Sequence, residues 1–277
     1  MIHLHADKYN ARSSENRIAD RAPSPAKLML SVMAIMLTGA TAQAAIISWG
    51  ASTTIFNDND VSTLGTLERA FTFVRPDSST GPFGPATVNG VAFATFGVAS
   101  NPTSITIGNT TVFGSGGTNS VESFNGLGSG SNPFSSLSAD YKLLLSTGVY
   151  NDGGGLILQL GGLQIGQPYQ FQVFVNDSRN GATRTETVTA GNTVSLAFSS
   201  TQSSGGVGQY VIGTFIADNS GSQIIQFTNE NPQVGSASQI NGFQLRVVPE
   251  PSSAALLLIG VGSIPFLRRR RSYLPKA

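Results

Sequence analysis

Residues 167–177 read QPYQFQVFVND, and their alternation decides the fold class. With a period of two, Tyr169, Phe171, Val173 and Val175 face one way, and Gln170, Gln172 and Phe174 the other. The neighbouring stretches repeat the theme. GLILQL (155–160) precedes it, and TETVTA (185–190), TVSLAF (193–198), QYVIGTFIAD (209–218), SQIIQFT (222–228) and INGFQLRVV (240–248) follow. β-Branched and aromatic residues dominate these runs, as a pleated, half-buried surface favours. Gly191-Asn192 separates two of them, and both residue types tolerate the positive φ of a turn.

Toward the N-terminus, TVNGVAFATFGV (87–98) and SITIGNTTVF (104–113) read as two further strands, and IISW (46–49) as a short opening one. Residues 53–73 hold short apolar pieces divided by the polar turn Asn57-Asp58-Asn59-Asp60, and Pro76, Pro82 and Pro85 mark a loop over 76–86. The Gly-, Ser- and Asn-rich residues 114–133 read as a long surface loop. Only SSLSADYKLLL (135–145) carries helical spacing, with Leu137, Tyr141 and Leu144 on one face. About nine or ten strands with no long helices between them predict an all-β fold, an antiparallel jelly-roll β-sandwich over residues 45–247. Two such sheets bury alternate side chains. The remainder, chiefly Gln, Thr, Ser and Asn, would then form one open, weakly charged face.

Charged residues make up 11% of the 277, which excludes a coiled coil or a charged helical bundle. The formal net charge of +1 hides an asymmetry. Residues 45–249 carry six basic and eleven acidic side chains, a net −5, so no basic stripe is there for nucleic acid. The positive charge sits at the two ends. Residues 28–40, LMLSVMAIMLTGA, form an uncharged apolar run behind Arg21 and Lys27, followed by the small-x-small triplet Ala42-Gln43-Ala44. That is the pattern of a signal peptide over residues 1–44, cut by signal peptidase after Ala44, with a cut after Ala45 the alternative. Translation from Met29 is the alternative to an extended n-region.

The other end reads VPEPSSAALLLIGVGSIPFLRRRRSYLPKA from Val248. Pro249, Glu250 and Pro251 precede an apolar run that reaches Leu267, then come Arg268, Arg269, Arg270 and Arg271. The run is just short of the usual spanning length of about 17–25 residues, and the arginines would hold the cytoplasmic face. This order resembles the PEP-CTERM sorting signal of Gram-negative bacteria. The resemblance implies recognition by an exosortase, removal of the tail (248–277), and delivery to the cell surface or extracellular matrix after a transient stay in the inner membrane. The sandwich would thus be flanked by an N-terminal signal helix and a C-terminal transmembrane helix. The strand pattern from Gly155 to Val248, with GQPYQFQVFVND, GQYVIGTFIAD and NGFQLR, resembles a recurrent β-domain of PEP-CTERM proteins from planctomycetes and their neighbours. It is also similar to galactose-binding-like carbohydrate modules.

His3 and His5 are the only histidines, both within the leader, and there is no cysteine. The exported part therefore lacks Cys-His chemistry, Ser-His-Asp triads and ordinary zinc sites. Glu68, Glu122, Glu186 and Glu230 could serve a glycosidase, which needs two carboxylates across a cleft, but the sequence does not pair them. Asp58 and Asp60, and separately Asp177 with Asn176 and Asn180, offer oxygens for a structural calcium. The alternative is Asx-rich turns that cap their own backbone. For sugar contact the candidates are Tyr150 with Asn151 and Asp152, and Arg179, which could instead close a strand-end salt bridge. Trp49 stands where a sandwich would bury it, a sugar platform being the alternative. The expectation is a non-enzymatic exported surface or matrix protein, without a cofactor unless calcium binds. The alternative is a carbohydrate-binding module whose partner is extracellular polysaccharide.

Overall fold

The computed structural model describes residues 45–74, 84–98, 103–114, 118–122, 134–152, 154–178, 184–199, 206–230 and 237–249. Outside them lie the expected signal and transmembrane helices, and with them Ala42, Ala44, Arg179, Glu250, Pro251 and Arg268 to Arg271. Among the described residues no helix is long and apolar enough to cross a membrane.

The described residues are mostly strands, with one α-helix. They begin with β1 (Ser48–Trp49), β2 (Thr53–Thr54), β3 (Thr66–Val74), β4 (Ala86–Val88), β5 (Val91–Gly97), β6 (Ser104–Ile107), β7 (Thr110–Gly114) and β8 (Asn119–Glu122). The helix α1 (Ala139–Ser146) runs directly into β9 (Thr147–Asp152), followed by β10 (Leu156–Leu160), β11 (Pro168–Val175), β12 (Thr185–Ala190) and β13 (Asn192–Ala197). The series closes with β14 (Gln209–Ile216), β15 (Gln223–Asn229), β16 (Ala237–Ile240) and β17 (Gly242–Val247). The large sheet has the order β1-β14-β11-β17-β3-β5-β4, with β2 also on β14. A six-stranded sheet runs β13-β12-β15-β10-β7-β6, and β16-β9-β8 form a small third one. From β10 onward the chain passes back and forth between the two larger sheets.

Three expectations need correction. The runs 87–98 and 104–113 are each a hairpin, because Asn89-Gly90 (φ 49° and 75°) and Gly108 (φ 55°) turn the chain within them. The sheets are not wholly antiparallel, since β3 and β5 pair in parallel from Phe71↔Ala94 to Val74↔Gly97. β4 comes between them in sequence but stands outside β5 in the sheet, so β5 runs in the direction of β3. The third difference is in β11.

Both faces of β11 are buried along its whole length. Its inner face behaves as the alternation predicts. Tyr169, Phe171, Val173 and Val175 pack with Phe243 and Leu245 against Leu156, Leu158, Val188, Ile225 and Phe227 of the second sheet. Phe71, Phe73, Phe96, Phe171 and Phe243 lie with ring centroids 5.1–6.2 Å apart. The outer face is covered as well. Toward one end Phe174 joins Phe93, Tyr141, Leu144 and Val207 in a second apolar cluster beneath α1. Ser138 caps this helix, accepting from Tyr141 N at 3.1 Å.

Toward the other end the outer face carries a polar ladder. Gln170 stands opposite Arg246, and Gln172 opposite Gln244. Gln244 Nε2 donates to Gln172 Oε1 at 2.6 Å and to Ser62 O at 3.0 Å, while Gln172 Nε2 donates to Asp60 O at 2.7 Å. Arg246 donates to the carbonyls of Thr63, Leu64 and Gly65 at 2.8–3.1 Å. The open polar face expected here is therefore occupied by the segment 60–65, strapped down by side chains that would otherwise face water. Arg246 is 6% exposed, so truncation leaves three strap carbonyls without their donor. Arg246→Met should destabilise the fold by about 2–4 kcal/mol. Urea unfolding at pH 7 checks this, with a shifted midpoint and an unchanged slope.

Candidate functional site

With the outer face of β11 covered, an open sheet face remains on β13-β12-β15-β10-β7-β6. Thr193, Thr189, Gln226, Ile157, Phe113 and Ser104 form one row across all six strands. Ile224, Gln159, Thr111 and Thr106 form a second, and Ser195, Thr187 and Thr228 a third. None of these thirteen side chains is charged. Thr189 and Thr193 pair their hydroxyls at 3.0 Å, and Thr106 and Thr111 at 2.9 Å. Ile224 is 41% and Phe113 37% exposed. Neighbours within a row stand one strand separation apart, about 4.8 Å, and successive rows about 6.7 Å apart. Such a face offers methyls, hydroxyls and amides at regular intervals to a flat, neutral partner.

A polar cluster lies at the end of β11. Asp177 is buried and accepts from Arg184 at 3.2 Å, and the Arg184 guanidinium lies 5.8 Å over the Phe198 ring. Gln239 Nε2 donates to Asn176 O at 2.7 Å, and Asn241 Nδ2 to the carbonyls of Leu145 and Thr147 at 2.9 and 2.8 Å. These bonds tie the end of β11 to the C-terminus of α1 and to β16. Glu186 enters from β12, fully buried. Its Oε2 accepts from Gln239 N at 3.0 Å, while Oε1 has no hydrogen-bond partner among the described residues. Burial pushes its carboxyl well above the ordinary carboxylate range, against the opposing pull of the Gln239 N–H and Arg184.

The other expected site residues are dispersed. Asp60 caps the backbone N–H groups of Phe56 and Asn57, and Asp58 accepts from Ser138 N at 3.2 Å. Asp177 sits elsewhere with Arg184, and among the described residues no three carboxylates or histidines gather into a metal-binding group. Tyr150 is half-buried in the small sheet, paired with Asn119 and Gln239, and Asn151 is buried with its amide on Gly155 O at 2.9 Å. The expected exposed Tyr-Asn-Asp platform is thus a central strand of that sheet. The side chains of Asp152 and Glu122 lie outside the described residues, as do Arg179 and Asn180. Glu68 pairs with Arg69 at 3.0 Å, and Glu230 is exposed just past β15. Trp49 is half-buried, its indole donating to Asn192 O at 3.1 Å and its ring edge-on to Phe171. The threonine rows were missed at the level of sequence, although the alternation of TETVTA and SQIIQFT carried them.

The fold ends where the tail begins. β17 stops at Val247, Val248 N donates to Pro168 O at 3.1 Å, and Pro249 is exposed. Past it stand the Pro-Glu-Pro triplet, the apolar run and the four arginines. Residues 247–271 match the PEP-CTERM protein-sorting motif. The PEP-CTERM motif implies an exosortase as processing partner, and export to the surface or beyond. No curated protein matches this sequence. Solved structures with a partial likeness include the ANX2 ectodomain from Arabidopsis thaliana, 12% identical with a TM-score of 0.41 over 67% of this chain and 50% of that one. Another is the plant receptor-like kinase ANX2, at 11% and 0.42 over 67% and 49%. The chain spans about half the length of these proteins.

Glu186 gives a signed pH test. Its folded pKa is raised, so the stability it contributes is fully present below the unfolded value near 4.3 and is lost as pH rises toward the folded one. Stability should therefore fall above about pH 4.3, by up to about 1.4 kcal/mol per pH unit. Glu186→Gln should flatten that slope and be the more stable protein at pH 8, as urea titrations between pH 4 and 8 will show.

Proposed function

We propose that this is a non-enzymatic, exported cell-surface or extracellular-matrix protein of a Gram-negative, planctomycete-like host. In this reading signal peptidase removes residues 1–44, and the tail (248–277) holds the chain in the inner membrane until an exosortase cuts it. The remaining domain (45–247) is a jelly-roll sandwich. The observation that carries the reading is the PEP-CTERM motif at residues 247–271. Strand exchange between the two larger sheets supports the jelly-roll description. The absence of histidine and cysteine from residues 45–249 supports a role without catalysis.

A second reading, carbohydrate binding, is favoured by the uncharged threonine, serine and glutamine rows on the six-stranded sheet. A neutral polysaccharide could lie along them with its hydroxyls against theirs. Phe113 supplies one exposed ring for stacking.

Intact mass and fractionation in the native host test the first reading. A surface-fraction species beginning at Ala45 and ending within Pro249–Pro251 is expected. A protein that keeps Arg268 to Arg271 in the inner membrane would contradict it. For the second reading, purified exported protein should be retained on neutral polysaccharide gels. Gln226→Lys with Thr193→Lys, both on the exposed face, should weaken retention about ten-fold, equivalent to about 1.4 kcal/mol. Equal retention of the lysine variant would place any glycan contact off this face.

A further inference from the structure

A groove of about 620 Å³ lies beside the start of the described chain, lined among others by Ala45, Ile46, Pro168, Ile216, Asp218 and Val248. Its walls are mostly apolar, with Ile46 55% and Ile216 60% exposed, and among the described residues Asp218 is the single charged side chain lining it. Asp218 Oδ1 accepts from Ser220 N at 2.8 Å and from the Ser220 hydroxyl. Its Oδ2 is shielded from solvent and, among the described residues, has no hydrogen-bond partner. A shielded carboxylate oxygen without a donor is costly unless a cation or donor arrives. Among the described residues the arginines are engaged elsewhere: Arg69 on Glu68, Arg184 on Asp177 and Arg246 on the strap.

The start of the described chain shows what can arrive. Ser48 pairs with Thr214 and Trp49 with Gly213. The pairing ends at Ser48, and before it Ala45 and Ile46 line the same groove as Asp218. Ala45 is also the residue that becomes the N-terminus if the leader is cut after Ala44. In that hydrolysis water gives its hydroxyl to the Ala44 carbonyl and a proton to the Ala45 nitrogen, which takes a further proton at neutral pH.

We propose that this groove is a binding site for the chain's own processed N-terminus, in which the α-ammonium of Ala45 pairs with the Asp218 carboxylate. Before the cut that nitrogen is a neutral amide with one donor. Afterwards it is a cation with three, and a charge-assisted bond to Oδ2 becomes available. The pair would secure β1, whose Ile47 N donates to Ala190 O at 2.9 Å while the next residues pair with β14. Leader removal would thereby tighten the clasp between the two larger sheets. Val248, at the stem of the sorting tail, lines the same groove.

The proposal rests on the export reading, and one protein tests both. Exported protein purified from the host is first sequenced from its N-terminus, and its α-amine is then titrated by the pH dependence of amine labelling read by mass spectrometry. The expected result is a chain starting at Ala45 whose α-amine titrates about one unit or more above the ordinary 7.7–8.0. Asp218→Asn should return it to the ordinary range, and Ser220→Ala, which removes the hydroxyl of that turn but keeps the carboxylate, should leave it raised. A retained leader, or a start other than Ala45, overturns the proposal together with the cleavage reading. A start at Ala45 with an ordinary titration in the unmodified protein overturns the pairing alone, whether or not the Asp218 variant folds.

Discussion

β11 touches water along neither face, and most of the architecture answers that constraint. A strand buried on both sides needs an apolar partner for its apolar face and hydrogen-bonding partners for any polar one. The second sheet supplies the first. Gln170 and Gln172 cannot be left dry and unpaired, so the outer face acquires a cover that carries backbone groups. The strap at residues 60–65 provides carbonyls and an N–H, while Gln244 and Arg246 on β17 share the work. Where the glutamines give way to Phe174, the cover changes from strap to helix. A change of residue type within one strand thus selects which element lies over it.

The same strand shows how far a sequence can be read. Its period of two gave both faces of β11 their correct membership, and α1 sits within one turn of the spacing that announced it. The fate of Gln170 and Gln172 was not legible, because a glutamine on a strand looks the same whether it meets water or a loop drawn from 108–112 positions away. The two hidden hairpins are a different case. Asn89-Gly90 is a turn signal in its own right, and it was outweighed by the apolar residues on both sides. The parallel pairing of β3 with β5 depends on where β4 finds room, which no local pattern encodes.

Among the candidate site residues, local chemistry was read more reliably than assembly. The Asn57–Asp60 turn does cap its own backbone, as one of the two readings allowed. Tyr150-Asn151 looked like a ligand platform because aromatic and amide groups were adjacent. Adjacent residues on a strand point to opposite faces, however, and one of the pair is buried. Glu186 was one carboxylate among several in sequence. Its burial beside Gln239 comes from β16, more than fifty residues later. The sorting motif was legible because it depends on the order of residues along the chain.

The position of β17 ties that tail to the timing of folding. β17 is the strand inserted between β11 and β3, and it ends at the first residue of the sorting motif. β1 and β3 begin the domain yet find their partners on β14 and β17, well over a hundred residues later. Closing such long loops is slow and brings no reward until the last contacts form. A chain threaded through a membrane N-terminus first would therefore stay loose during most of its passage. The large sheet could lock only when the stem of the tail had emerged, so a completed fold would certify that translocation has reached the point where sorting begins.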